Sequence, residues 1–213
     1  MTDAEFTAFI SSHKVFAQVR ADSAESALRA SEAAIVGGIR IIEVVLSTPG
    51  GLRVISDLRH RYGDRTVVGA GGLRTNEQVD RAIKAGVQFV SMPNTDMALI
   101  EFCATHRVPV NIGALTPTEV ANAASIGVAL VTVFPAFAVG GPAFIAALTS
   151  RMPDLLVAAS GGVGSENIVD YFAAGAFAIG VGSSLFNRGD LQNQNYAAIA
   201  ERARGIRRLA GVA

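Results

Sequence analysis

Cysteine is nearly absent from this chain of 213 residues, and Cys103 alone cannot form an intrachain disulfide. A reducing compartment is the simple reading. Net charge is absent as well, because 18 basic residues balance 18 acidic ones. That balance leaves no footprint for nucleic acid or for an anionic membrane surface. No apolar run reaches the ~18–20 residues of a membrane-spanning helix without glycine, proline or charge interrupting it. The first residues, MTDAEFTAFISSHK, lack a basic segment followed by an apolar one, so no signal peptide is read there. Histidine is scarce and scattered: His13, His60 and His106 do not fall at the C-terminal end of any expected strand. With Asp22, Asp96 and Glu43 they form no recognisable ligand set, and neither a metal nor a cofactor is expected. These absences predict a soluble cytoplasmic protein with a small-molecule partner.

What is present is apolar and rhythmic. Half of the residues are hydrophobic and 17% are charged, enough apolar material for a sizeable core. Short β-branched runs alternate with longer alanine-rich segments. Strands are expected at 15–19, 39–46, 67–70, 89–92, 108–112, 129–134, 156–159 and 178–181. Helices are expected between them, at 23–37, 50–62, 75–86, 95–106, 116–126, 141–150 and 165–175. Thr75, Thr116 and Ser165 supply hydroxyl caps followed by early acids. Gly37-Gly38, Gly86, Gly127 and Gly175 supply left-handed ends. Strands apolar on both faces, with helices between them, indicate a parallel sheet. Eight such units favour closure into a compact α/β barrel, (β/α)8, of one domain over 1–213. An N-terminal helix and one amphipathic C-terminal helix at 190–211 complete it.

Barrels of this kind place their sites at the C-terminal ends of the strands. Glu43 lies among Ile41-Ile42-Glu43-Val44-Val45-Leu46, where a buried carboxylate is costly unless paired or used. By period two it shares a face with Val45 and Ser47. If that face looks inward, desolvation raises its pKa and suits it to general acid–base work. A structural ion pair with Arg20 is the plainer reading. Arg20 ends the first strand, and its guanidinium could clamp a substrate carboxylate or pair with Glu43 or Asp22. Gly161-Gly162 follows the seventh strand and Gly182-Ser183 the eighth, the two loops where barrels most often hold phosphate.

The chain resembles the 2-keto-3-deoxy-6-phosphogluconate (KDPG) and 4-hydroxy-2-oxoglutarate (KHG) aldolase family. The resemblance runs from about residue 14 to 187. It rests on Val36-Gly37-Gly38-Ile39-Arg40 leading to Glu43-Val44-Val45-Leu46, on Val68-Gly69-Ala70-Gly71, on Met92-Pro93-Asn94, on Phe134-Pro135 followed by Gly140-Gly141, and on Gly161-Gly162-Val163 with Gly182-Ser183. The family implies a TIM barrel, commonly a homotrimer, that cleaves keto acids through a lysine Schiff base while a glutamate moves protons. Glu43 matches that glutamate, and Arg20 matches an arginine of the galactonate branch. Gly161, Gly162, Gly182 and Ser183 match the phosphate cradle, and Phe134 matches a pocket wall. The departures gather at the pyruvate end. Thr132 stands at the Schiff-base lysine position, Gly72 at a threonine that contacts pyruvate, and Ser47 at an arginine or asparagine.

Only Lys14 and Lys84 could replace the missing amine. Lys14 precedes the first strand and Lys84 ends a helix, both towards the N-terminal face. The hydroxyl of Thr132 cannot form an imine. Three functions stay open: lyase chemistry on a phosphorylated or carboxylated 2-keto acid without a Schiff base, non-catalytic binding of a keto acid or sugar phosphate, and isomerase or epimerase chemistry with Glu43 as base.

Overall fold

Helix α1 (Asp3–His13) opens the chain under a capping box between Thr2 and Glu5. The computed structural model describes residues 1–212. Eight strands follow: β1 (Val15–Val19), β2 (Ile41–Val45), β3 (Val67–Gly71), β4 (Phe89–Met92), β5 (Val110–Ala114), β6 (Leu130–Val133), β7 (Val157–Ser160) and β8 (Ala178–Val181). Every neighbouring pair is parallel, and β8 pairs with β1. The barrel is therefore closed in sequence order. The helices between strands are α2 (Ala24–Val36), α3 (Gly51–Tyr62), α4 (Asn76–Lys84), α5 (Met97–Thr105), α6 (Pro117–Ser125), α7 (Pro142–Arg151) and α8 (Ile168–Ala173). Among the described residues, no helix is long and apolar enough to cross a membrane.

Period-two alternation sorts each strand between two cores. Outward residues such as Ile42, Val44, Val131 and Val133 join the large cluster shared with the helices. Inward residues at the N-terminal end form a separate cluster that includes Phe6, Phe16, Ile41, Phe89 and Leu130. Phe6 of α1 stacks on Phe89 with ring centroids 4.7 Å apart. Helix α1 thus plugs that end with aromatic side chains, and the barrel interior is left open only at the other end.

Local signals place the elements, with several bounds moved; β2, expected over 39–46, is confined to Ile41–Val45. Thr75 and Thr116 cap α4 and α6 as expected, accepting from Gln78 N and Glu119 N. Strand β5 begins at Val110 rather than 108, because Pro109 has no N–H to give a ladder. The Ser165 cap is not used. Helix α8 starts after Asn167, whose side chain instead closes the preceding turn onto Gly164 N and Gly162 O. The single C-terminal helix expected at 190–211 is two helices, α9 (Arg188–Gln192) and α10 (Tyr196–Leu209). Gln194 at φ 53° breaks the run, and Asn195 starts α10 by accepting from Ala198 N. Arg202 of α10 then holds Asp190 and the carbonyl of Leu185, fixing α9 beside the mouth of the barrel.

Candidate active site

The open end of the barrel holds a cavity of about 690 Å³. Its floor is built from single polar residues on otherwise apolar strands. Gln18 (β1), Glu43 (β2), Ser91 (β4), Asn111 (β5), Thr132 (β6) and Ser160 (β7) all line it. Each is the inward residue one step above the aromatic plug. Two hydrogen-bonded groups organise them. Ser160 Oγ donates to Gln18 Oε1 at 2.6 Å, which orients the amide so that Gln18 Nε2 donates to Glu43 Oε1 at 3.2 Å. Thr132 Oγ1 donates to Asn111 Oδ1 at 2.7 Å, and Asn111 Nδ2 donates to Ser91 Oγ at 3.3 Å.

Glu43 is the chemically distinctive member. It is 4% exposed, and its Oε2 is buried without a partner. Burial pushes its carboxyl up from the ordinary value to about 7, while Gln18 and then Ser91 pull it back towards ionisation. Two glycines make room for this arrangement. A Cβ on Gly71 would collide with the Glu43 carboxyl. A Cβ on Gly180 would lie 2.7 Å from Gln18 Oε1 and 2.8 Å from Ser160 Oγ.

The sequence candidates do not all meet here. Glu43, Thr132, Gly72, Phe134, Gly182, Ser183 and Arg20 line the cavity. Ser47 does not: β2 ends at Val45 and the turn closed by Thr48 N to Val45 O takes over, so period two no longer applies. Gly161 and Gly162 also stand back from the wall, at φ 84° and 73°, packed against Pro135 and Phe137. Ser184 Oγ joins this turn to the next by donating to Val163 O at 2.6 Å. The ion pair of Arg20 with Glu43 or Asp22 does not form, and Glu43 bonds Gln18 instead. Arg20 is exposed at the rim.

Sequence reading missed Gln18, Ser91, Asn111, Ser160 and the rim residue Arg188. The first three carried a legible signal, a lone polar side chain at an inward position of an apolar strand, the same one that marked Glu43. Arg188 carried none, since only the break before α10 brings α9 to the rim. Neither lysine lines the cavity. Lys14 caps α1 and lies over the Phe172 ring, and Lys84 pairs with Asp80 on α4. Among the described residues no group of three or more His, Cys, Asp or Glu side chains could hold a metal ion.

Comparison with known proteins decides the family. The family profile described as KDPG and KHG aldolase matches residues 7–202. The chain belongs to this family. A probable 2-dehydro-3-deoxy-6-phosphogalactonate aldolase of Rhizobium meliloti (strain 1021) is 35% identical over 173 residues, 79% of this chain and 81% of the relative. The 2-dehydro-3-deoxy-6-phosphogalactonate aldolase of Escherichia coli (strain K12) is 32% identical over 176 residues, 82% and 85% of the two chains. Among solved structures, native KDPGal superposes with TM-score 0.83 at 30% identity, covering 92% of this chain and 93% of that one. KDPG aldolase from Legionella pneumophila, with pyruvate captured at low pH as a covalent carbinolamine, superposes with TM-score 0.85 at 25% identity, covering 94% and 97%. The barrel of this KDPG/KHG aldolase family member is thus matched nearly end to end.

Proposed function

We propose that this family member acts on a phosphorylated keto compound by proton transfer through Glu43, without forming a Schiff base. The observation that carries the reading is Glu43 itself, a buried carboxyl on the cavity wall with its Oε2 unpartnered and its pKa raised to about 7. A group poised near neutrality both takes and returns a proton at working pH. Thr132 occupies the place where the family resemblance puts the lysine, and no lysine is among the described residues that line the cavity. Carbonyl polarisation falls to a neutral donor, the second N–H of Asn111 Nδ2. In the proposed step a C–H bond beside the substrate carbonyl breaks and its proton passes to Glu43 Oε2. The electron pair moves onto the carbonyl oxygen as an enolate. The enolate then either takes the proton back at carbon, or its carbon adds to an aldehyde carbonyl whose oxygen is protonated to the alcohol. Run in reverse, that C–C bond breaks to give the aldehyde and the enolate, and Glu43 returns a proton to the enolate carbon.

Gly182 and Ser183, which line the cavity, support the phosphate end of this reading, and Ser184 Oγ ties their turn to Val163 O, next to Gly161-Gly162. The relatives' own substrates, 2-dehydro-3-deoxy sugar-acid phosphates by their names, support a phosphorylated keto compound as the class. A homotrimer in the cytoplasm is proposed on the family resemblance. The test is deuterium exchange. In D2O, the protein is expected to wash deuterium into the carbon beside the carbonyl of dihydroxyacetone phosphate, and Glu43→Gln is expected to abolish it. Exchange that survives Glu43→Gln removes Glu43 as the base. Binding with no exchange puts the non-catalytic binding module ahead.

A further inference from the structure

The cavity floor is polar without being cationic. Its ionisable side chain is Glu43, and around it stand Gln18, Ser91, Asn111, Thr132 and Ser160, all neutral. The two guanidiniums that line the cavity, Arg20 and Arg188, are both exposed at the rim. Two carboxylates, Asp22 and Glu25, share that rim, and none of the four is ion-paired. A ligand anion therefore meets a cationic side chain only there. A carboxylate lowered to the floor would lose its water beside Glu43 and gain no counter-ion, and two like charges at one site oppose each other strongly.

The hydrogen-bonding inventory favours a different guest. Glu43 Oε2 is buried and unpartnered, so the protein leaves one polar atom for the ligand to satisfy. A hydroxyl serves it in either protonation state, donating to the carboxylate or accepting from the acid. The Asn111 amide is held with its oxygen committed to Thr132 and one N–H committed to Ser91, leaving the other N–H free. The floor thus offers both a donor and an acceptor, matching a group that can both accept and donate.

We infer that the deep end of the cavity takes an uncharged hydroxyl- or carbonyl-bearing end of its ligand, and that the ligand's anionic group stays at the rim. This rests on the proposed function and names its substrate class: a keto or hydroxy sugar monophosphate with a neutral group, rather than a carboxylate, beside the reacting carbonyl. The substrate class thereby departs from the sugar-acid phosphates named for the relatives.

Calorimetric titration of the full chain with dihydroxyacetone phosphate, pyruvate and inorganic phosphate tests it. Dihydroxyacetone phosphate is expected to bind about tenfold tighter than either of the others. Asn111→Leu is expected to weaken it by about tenfold, a hydrogen-bonded group's worth, while inorganic phosphate affinity holds. If Asn111→Leu does not fold, Thr132→Val reads the same network by releasing the amide, and the same selective weakening is expected. Glu43→Gln removes the repelling charge, and pyruvate affinity is expected to rise by about threefold or more. Pyruvate binding as tightly as dihydroxyacetone phosphate to the unaltered protein overturns the inference, as does the failure of dihydroxyacetone phosphate to bind. Loss of the proposed chemistry alone reads differently, as selective binding without Glu43-dependent deuterium exchange.

Discussion

Thr132 Oγ1 donates to Asn111 Oδ1 across 2.7 Å, joining the inward residues of β5 and β6. The bond gives the threonine a defined task. It locks the amide of Asn111 with its nitrogen towards Ser91, so that the chain of donors runs across the floor to the side where Glu43 sits. Thr132 is 7% exposed, and its hydroxyl is a committed donor rather than a nucleophile in waiting, with no base beside it.

Covalent trapping measures what that substitution means. Pyruvate with borohydride is expected to leave the mass of the protein unchanged, because Lys14 and Lys84 lie off the cavity. Thr132→Lys is expected to gain a pyruvate adduct. Burial among these walls lowers the amine's pKa and raises its reactivity as an imine former. Gly72→Thr puts a β-branched residue at φ 79°, and Ser47→Arg starts from outside the wall, so neither is expected to add much to the trapping. Intact-mass spectrometry reads all three. An adduct on Lys14 or Lys84 in the unaltered protein would contradict the placement of both lysines.

Stability should report the protonation of Glu43. Its carboxyl is raised from 4.5 to about 7 in the folded protein. The folded state therefore binds the proton more tightly than the unfolded chain. The resulting stabilisation is fully present below 4.5 and is lost as pH rises through 7. The shift corresponds to about 3 kcal/mol over that window. Glu43→Gln keeps the shape and removes the titration. Its melting temperature relative to the unaltered protein is expected to rise between pH 4 and pH 8 by ~2–4 °C for each kcal/mol. A flat difference across that range would show Glu43 to be ordinarily solvated.

Gly71→Ala tests the packing that aims Glu43. The added Cβ meets the carboxyl group directly, so the side chain must leave its hydrogen bond with Gln18 or the strand must shift. A loss of about 1–3 kcal/mol is expected, together with loss of Glu43-dependent deuterium exchange. Chemical denaturation measures the first and mass spectrometry the second. Full exchange activity in a stable Gly71→Ala protein would place the working conformation of Glu43 elsewhere.

Assembly is open to a direct measurement. Phe137 and Val36 are 67% and 65% exposed, large apolar side chains left in water by the single chain. Sedimentation at micromolar concentration is expected to give a trimer, and a monomer would remove that part of the proposal.

Much of this protein was determined locally. Eight apolar strand runs, the threonine caps of α4 and α6 and the glycines that follow α2, α4, α6 and α8 specify alternating β and α units, and parallel strands buried on both faces need helices outside them. The inward position of Glu43 follows from strict period two within β2. Where a strand stops is not a local property of apolar runs: β2 ends at Val45, and Ser47 leaves the cavity with it. The break at Gln194 that swings Arg188 to the rim is likewise held by Arg202 and Asp190, far from it in the helix pattern. Only closure of the barrel could bring Gln18, Ser160, Ser91, Asn111 and Thr132 around one carboxyl. Ser160 and Gln18 are 142 residues apart in the chain, and their hydrogen bond exists because β8 closes against β1. Composition and spacing assign each of those residues to a strand, but the neutrality of the floor they form together is a property of the closed ring.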